Sequence, residues 1–249
     1  MAAVRDPLSV TQPALARATV YQALAHVFHH PAPERRRGES LPGVRAALDI
    51  LRLPSAVAGS LAEAEARLSS LTPRRLAAQH VALFSHGREG QALPYEADFT
   101  AVSVFQKSQE MADVAGFYRA FGLAWESGQE RPDHLSLECE FMYFLALKEA
   151  YALAQGRRED AALCRHAQRA FLRDHLGHWL PAFRRALESE APDSPYSALA
   201  RFADAYVLAD CRGLRARPRP ITARPRAPEE ADLDCNGCPL GPQEASSYE

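Results

Sequence analysis

The chain has 249 residues, which is enough for one large domain or two small ones. Its formal net charge of −2 gives no overall field that would attract nucleic acid or an anionic membrane. No apolar run approaches the roughly 20 residues that span a bilayer, and the first residues lack the apolar segment of a signal peptide. With an odd number of cysteines, 5, these features predict a cytoplasmic protein without stable membrane insertion.

Leucine and alanine dominate the sequence and β-branched residues are sparse, a composition that favours helix over sheet. Residues 1–12 are polar and are expected to be loose, and Pro13 is typical of the first position of a helix. Apolar residues then recur with helical spacing between Pro, Gly, Ser and Thr signals. The predicted helical segments are 13–29, 43–53, 55–70, 73–86, 102–122, 134–155, 158–176, 178–190 and 195–208.

The stretch 130–150 predicts a central core helix, because its apolar residues extend nearly all round a helical wheel. Pro132 disfavours helical angles at the residue before it, which makes Asp133 the expected N-cap. One polar side chain is expected to be partly buried and another to lie in the core. Glu140 shares a side with apolar residues and needs a donor, and His175 is expected to bind a carbonyl from within an apolar stripe.

Four ionisable side chains gather where this central helix begins: Glu130, Asp133, His134 and Glu138. Helix capping fully explains Asp133, so a purely structural role for the group stays open. The alternative is a binding site, since carboxylates and free N–H groups at one helix start suit a cationic or backbone-rich ligand. A metal-dependent hydrolase is a weaker hypothesis, because no matching set of ligands exists on a second helix.

A loop rich in Gly and Pro is predicted from Ser85 to Thr100. It contains the segment Pro94-Tyr95-Glu96 and also Phe99, and a loop that carries aromatic and carboxylate side chains is a candidate for function. The alternative is that Tyr95 and Phe99 fasten the loop to the core.

The segment Glu-Arg-Pro-Asp-His-Leu at 130–135, followed by an acidic residue and Phe-Met-x-x-Leu at 141–145, resembles the signature of the TorD/DmsD/NarJ family. The members of this family are cytoplasmic chaperones dedicated to bacterial molybdoenzymes. Leu83-Phe84 with Pro94-Tyr95-Glu96 resembles a second family segment, although Ala97 replaces the usual small hydroxyl residue. The aromatic segment at 171–183 resembles a third.

The resemblance implies an all-α fold, a single compact multi-helix TorD/DmsD-like bundle over 13–212 with an N-terminal part at 13–125 and a C-terminal part at 132–212. It implies a chaperone and not an enzyme, without a cofactor and without a nucleic-acid partner, present as a monomer or a domain-swapped dimer.

The expected partners are the catalytic subunit of a molybdenum-containing oxidoreductase and its N-terminal twin-arginine signal peptide. The chaperone would hold the apo form until cofactor insertion and export. The residues expected to bind the peptide are Leu83, Phe84, Tyr95, Glu96, Phe99, Trp125, Glu130, Pro132, Asp133, His134 and Glu138.

Residues 213–249 form a Pro/Arg-rich tail that lacks a core pattern and is expected to be disordered. Cys235 and Cys238 form a CxxC pair that could hold a metal ion with two further ligands, or remain two free thiols. The alternative function is therefore a metal- or iron–sulfur-handling assembly factor.

Overall fold

The computed structural model describes residues 7–29, 41–85, 92–124 and 130–221. These residues form helices joined by loops and contain no strand, so the predicted all-α class is confirmed. None of the helices in these four ranges combines the length and the apolarity needed to cross a bilayer. The helices are α1 (Pro7–Phe28), α2 (Pro42–Leu51), α3 (Ser55–Ser69), α4 (Pro73–Phe84), α5 (Ala97–Thr100), α6 (Val104–Ala120), α7 (Leu135–Ala154), α8 (Arg158–Asp174), α9 (Leu176–Glu190) and α10 (Pro195–Leu214).

Helix α7 is the central helix, as its apolar composition predicts. Helices α1 and α8 pack directly against it, and α10 packs on α3, α8 and α9. Met142 and Leu145 of α7 are fully buried in the resulting core. The expected burial of Glu140 is wrong, because this residue is exposed. It lines an open groove of about 110 Å³ between α1 and α7, together with His26 and Tyr143.

The ends of the first and last helices differ from their predicted positions. Pro13 lies inside α1, which already begins at Pro7, and its missing N–H does not prevent the helix from forming. Helix α10 continues six residues past the predicted end at 208, because Asp210, Cys211 and Leu214 are buried against other helices. Apolar packing therefore extends a helix beyond the point where its apolar periodicity weakens.

The segment predicted as a loop between Ser85 and Thr100 is partly helical, since it contains α5. Residues 86–91 lie outside the described ranges. Tyr95 and Phe99 are buried, so the alternative in which they fasten the segment to the core is confirmed.

The first residues of the predicted tail belong to the folded body. Arg215 adopts a left-handed conformation (φ 58°) and ends α10. Beyond it the chain runs along α9, where the backbone N–H of Ile221 donates to the carbonyl of His178 at 3.0 Å and Arg185 donates to the carbonyl of Ile221 at 2.7 Å. The expectation of disorder from residue 213 is therefore wrong for 213–221. Residues 222–249, with Cys235 and Cys238, lie outside the described ranges.

A buried ionic cluster fixes α1 to the C-terminal helices. The carboxylate of Glu149 on α7 is fully buried and accepts hydrogen bonds from Arg17, Arg165 and Gln168. Asp210 on α10 accepts a hydrogen bond of 2.8 Å from the hydroxyl of Tyr21. Removal of one partner from such a cluster leaves a buried charge without compensation, which typically costs about 3–5 kcal/mol. The cluster therefore specifies where α1 lies on α7, α8 and α10.

We expect Gly177→Ala to destabilise the protein, because a Cβ atom at Gly177 would lie 2.4 Å from the carbonyl oxygen of Leu172 and 3.2 Å from both Cys211 Sγ and Pro218 Cγ. The free energy of unfolding should fall by about 1–3 kcal/mol in a urea titration, as for other overpacked positions. The matched control is Gly59→Ala in α3, where a Cβ meets no atom within 4 Å. This control should gain up to about 1 kcal/mol from helix propensity, and equal effects of the two substitutions would contradict the steric argument.

Candidate functional site

Two segments that resemble family motifs lie side by side in the structure. The backbone N–H of Glu96 donates to the carbonyl of Asp133 at 2.9 Å, and the N–H of Leu135 donates to the carbonyl of Pro94 at 2.8 Å. These bonds form an isolated antiparallel bridge between Tyr95 and His134. The chain segment before α5 and the segment before α7 therefore form one rigid unit.

Asp133 is not the N-cap of α7, and this part of the sequence interpretation is wrong. Its carboxylate accepts a 3.0 Å hydrogen bond from the backbone N–H of Ala97, the first residue of the short helix α5. Arg131 donates to the same carboxylate through Nε at 3.0 Å and Nη2 at 2.6 Å. Asp133 is 1% exposed, so it joins the two segments from inside the protein.

His134 takes the position of N-cap of α7. Its Nδ1 accepts a hydrogen bond from the backbone N–H of Ser136 at 3.1 Å, and the hydroxyl of Ser136 lies 2.7 Å from the same nitrogen. Burial lowers the pKa of His134 to about 4, although the charge of Glu130 acts in the opposite direction. The imidazole is therefore neutral at physiological pH, which is the form that leaves Nδ1 able to accept.

A network of buried acidic groups lies behind this unit. The indole N–H of Trp179 donates to Glu138 Oε2 at 3.0 Å, and Glu138 Oε1 is buried with no hydrogen-bond partner among the described residues. Burial, followed by the charge of Glu96, raises the pKa of Glu138 well above its ordinary value. These surroundings favour the neutral form of the Glu138 carboxyl.

His175 anchors Glu96 from the opposite side. Its Nδ1 lies 3.0 Å from Glu96 Oε2, and its Nε2 lies 3.8 Å from Asp113 Oδ2. Burial acts to lower the pKa of His175, but the hydrogen bond and charge of Glu96 outweigh it, and the pKa is raised above 6.5. The expectation of a core histidine is correct, whereas the expected carbonyl partner is wrong, because the partner is a carboxylate.

The outer face of the unit is polar and partly open to solvent. The hydroxyl of Tyr95 donates to Glu130 Oε1 at 2.9 Å, and the Arg131 guanidinium lies 4.2 Å from the centre of the Tyr95 ring. Burial acts to raise the pKa of Glu130, but the charge that His134 acquires at acidic pH and the backbone N–H of Arg131 outweigh burial and lower the pKa. Glu130 therefore presents an ionised carboxylate at the protein surface.

The predicted apolar members of the set lie in the core. Phe99 stacks on Trp179 with ring centres 5.6 Å apart, and Phe84 packs against Tyr196 at 5.3 Å. Both rings also contact Phe183. Leu83 is half-buried, and Trp125 lies outside the described ranges.

Three residues of the site were missed in the sequence interpretation. Arg131 occupies the variable position of the motif, yet it neutralises Asp133 and covers Tyr95. Tyr118 donates its hydroxyl to the carbonyl of the buried Pro132 at 2.7 Å. Trp179 holds Glu138. A cation two residues from a carboxylate is a signal that could have indicated Arg131, but the two aromatic partners come from distant helices.

Within the described ranges, no three His, Cys, Asp or Glu side chains gather in an arrangement that could hold a metal ion. The hypothesis of a metal-dependent hydrolase needs such an arrangement from Glu130, Asp133, His134 and Glu138. These four side chains instead have separate partners, and two of them are held by Arg131 and Trp179.

Comparison with known proteins agrees with this arrangement of motifs. The family model described as the nitrate reductase delta subunit matches residues 51–185, more than half of the sequence, and the chain belongs to this family. The resemblance to the TorD/DmsD/NarJ family is thereby confirmed.

Three relatives illustrate the relationship. A selenate reductase assembly chaperone protein of Thauera selenatis is 38% identical over 137 residues, which cover 51% of this chain and 64% of that protein. A perchlorate reductase assembly chaperone protein of Dechloromonas aromatica is 35% identical over 118 residues, covering 46% and 52%. The chaperone protein TorD of Vibrio cholerae is 32% identical over 138 residues, covering 54% and 60%. The chain thus spans less than two thirds of the length of each of these relatives.

We expect the stability of the protein to decrease as pH rises. The pKa values of Glu138 and His175 are both raised on folding. Their stabilising contributions are fully present below the unfolded values of 4.5 and 6.5 and are lost as pH rises through the folded values. The lowered pKa of His134 acts in the opposite direction below its unfolded value of 6.5. Urea titrations between about pH 7 and about pH 9 should therefore show the decrease, with a slope of up to about 1.4 kcal/mol per pH unit for each excess proton.

Glu138→Gln should reduce that slope, because the amide is neutral at every pH and keeps an oxygen for Trp179. The matched control is Glu159→Gln on the exposed side of α8, which should retain the slope of the unmodified protein. A Glu138→Gln variant with an unchanged slope would show that Glu138 is already ionised in the folded state.

Proposed function

We propose that this chain is a cytoplasmic chaperone dedicated to one molybdenum-containing oxidoreductase. It binds the twin-arginine signal peptide and the apo form of the catalytic subunit, and it holds them until cofactor insertion and export. Family membership supports this proposal, as do the names of relatives that assemble selenate and perchlorate reductases. The protein performs no turnover and needs no cofactor of its own.

The observation that carries the proposal is the rigid unit formed by the segments at 94–97 and 130–135. The unit presents an ionised Glu130 beside Tyr95 on a surface fixed from behind by Asp133. A carboxylate on a fixed surface suits a guanidinium, because charge-assisted hydrogen bonds to arginine are strong and directional.

The predicted peptide-binding residues then divide into two groups with different tasks. Glu130 is exposed and faces solvent, where a peptide can contact it. Glu96, Asp133 and Glu138 are buried, so they act by positioning the surface above them. The buried group includes Phe84, Phe99, Pro132 and His134, and Leu83 is half-buried.

The mechanism is holding by differential affinity. A chaperone that binds the apo form more tightly than the cofactor-loaded form shifts the client toward the apo form by mass action. Insertion of the cofactor removes that preference, and the client is released. Nothing in this sequence of events requires a chemical step on the chaperone.

The metal- or iron–sulfur-handling alternative depends on Cys235 and Cys238. Metal analysis of the purified chain, with a Cys235→Ser/Cys238→Ser variant as control, distinguishes it from the chaperone proposal. Stoichiometric metal that disappears in the double variant would favour the alternative.

The proposal predicts that the chain binds a synthetic leader peptide that has two adjacent arginines before a leucine- and alanine-rich stretch. Glu130→Gln should weaken this binding about two- to fivefold in calorimetric titrations, because an exposed ion pair contributes up to about 1 kcal/mol. The control variant is Glu159→Gln. The control peptide has glutamines in place of the arginines, and its affinity should not depend on Glu130.

Absence of any binding by the unmodified chain would contradict the proposed function. Equal losses for the arginine and glutamine peptides would remove Glu130 from the arginine contact.

A further inference from the structure

An exposed apolar patch precedes and begins helix α6. Val104 and Phe105 are 80% and 82% exposed, and Val102 is 49% exposed. Single exposed apolar residues are common, but a group that includes a nearly fully exposed phenylalanine marks a surface for interaction. We refer to Val102, Val104 and Phe105 as the α6 patch.

The α6 patch has a defined backbone conformation. The hydroxyl of Ser103 accepts a hydrogen bond from the N–H of Gln106 and caps the helix, and the side chain of Gln106 accepts from the N–H of Val102. The buried residues of α6, Val114 and Tyr118, both lie in its second half. The first half therefore extends beyond the core while its caps keep it ordered, so a ligand meets a surface that is already organised.

Polar contacts connect the α6 patch to the candidate site. Lys107 on α6 pairs with Asp98 at 2.9 Å, and Asp98 lies 3.6 Å from Arg131. Arg131 in turn covers the ring of Tyr95, whose hydroxyl binds Glu130. Lys107 lies three residues after Val104 and so shares its side of the helix. The start of α6 therefore adjoins the candidate site.

The charge of this surface is complementary to a cationic ligand. The ranges 98–113 and 130–131 contain four carboxylates and two cations, and both cations, Lys107 and Arg131, already pair with the largely buried Asp98. The side chain of Asp113 is 74% exposed, and its nearest cationic partner, His175 Nε2, is 3.8 Å away. The carboxylates are Asp98, Glu110, Asp113 and Glu130.

We propose that the α6 patch binds the apolar stretch of the client's leader peptide, while the adjoining carboxylates receive its arginines. This inference rests on the proposed function and adds to it the location of the bound peptide and the direction in which the peptide lies along α6. Asp113 follows Phe105 by eight residues on the same helix, which corresponds to about 12 Å. An extended peptide covers that distance with roughly four residues. The spacing therefore suits a peptide whose apolar stretch follows its arginines closely.

The test removes the apolar side chains and leaves the fold unchanged. A Val104→Ser/Phe105→Ser variant should bind the synthetic leader peptide at least about tenfold more weakly in calorimetric titrations, since a central aromatic contact contributes on this scale. Leu163→Ser on α8 is the matched control, because Leu163 is also largely exposed (60%) and lies on another helix. The control should bind like the unmodified chain, and circular dichroism melts should confirm that all three proteins fold.

Each remaining outcome contradicts a specific part of the proposal. A peptide that binds the unmodified chain and the double variant equally would overturn the α6 patch while leaving the chaperone proposal intact. A peptide that binds neither would overturn both. A double variant that changes from dimer to monomer in light scattering, with unchanged peptide affinity, would show that a second copy of the chain covers the patch.

The carboxylates are tested separately with Asp113→Asn. This variant should bind the arginine peptide more weakly and bind the glutamine peptide with unchanged affinity. The Val104→Ser/Phe105→Ser variant should bind both peptides more weakly. An equal change in affinity for the two peptides with Asp113→Asn would overturn the assigned direction of the peptide along α6.

Discussion

The carboxylate of Asp133 is the contact on which the site depends. Asp133 lies 36 residues from Ala97 in sequence, yet its carboxylate accepts a hydrogen bond from the backbone N–H of that residue. The same carboxylate pairs with the guanidinium of Arg131. A buried carboxylate needs such compensation, because an unpaired charge costs several kcal/mol in a protein interior. Pairing of the two segments supplies it. In return, the pairing places Glu96 against Glu138 and His175, and it brings Tyr95 next to Glu130.

The central helix could be predicted from sequence, because a helix that is apolar on most faces has to be surrounded. The cap could not. A carboxylate that accepts backbone N–H groups is equally satisfied by its own helix or by another one, and local sequence does not distinguish the two. The carboxylate of Asp133 binds the first backbone N–H of helix α5, which is distant in sequence. The neutral side chain of His134 is the N-cap of α7 instead. Glu140 was misplaced because a helical wheel does not show where neighbouring helices diverge.

The site combines a buried acidic interior with a charged exterior. Inside, Glu138 and Glu96 are both buried, and neither carboxyl is accessible to a ligand. Outside, Glu130 and the residues of α6 meet solvent. The residues of the sequence motifs lie mainly in the inner group, where each buried polar side chain needs a specific partner. Exposure of Phe105 depends on the absence of a covering helix among the described residues, and no motif records that.

The ionic cluster around Arg17 has a consequence for the order of events during synthesis. Its partner Glu149 lies 132 residues later in the chain, and the partner of Tyr21 lies 189 residues later. Translation adds about 5–20 residues per second, so α1 leaves the ribosome on the order of ten seconds before its binding surface exists. Throughout that interval the side of α1 that packs on α7 remains uncovered. Helix α1 is thus made well before the surface on which it docks, and its packing depends on helices that are synthesised much later.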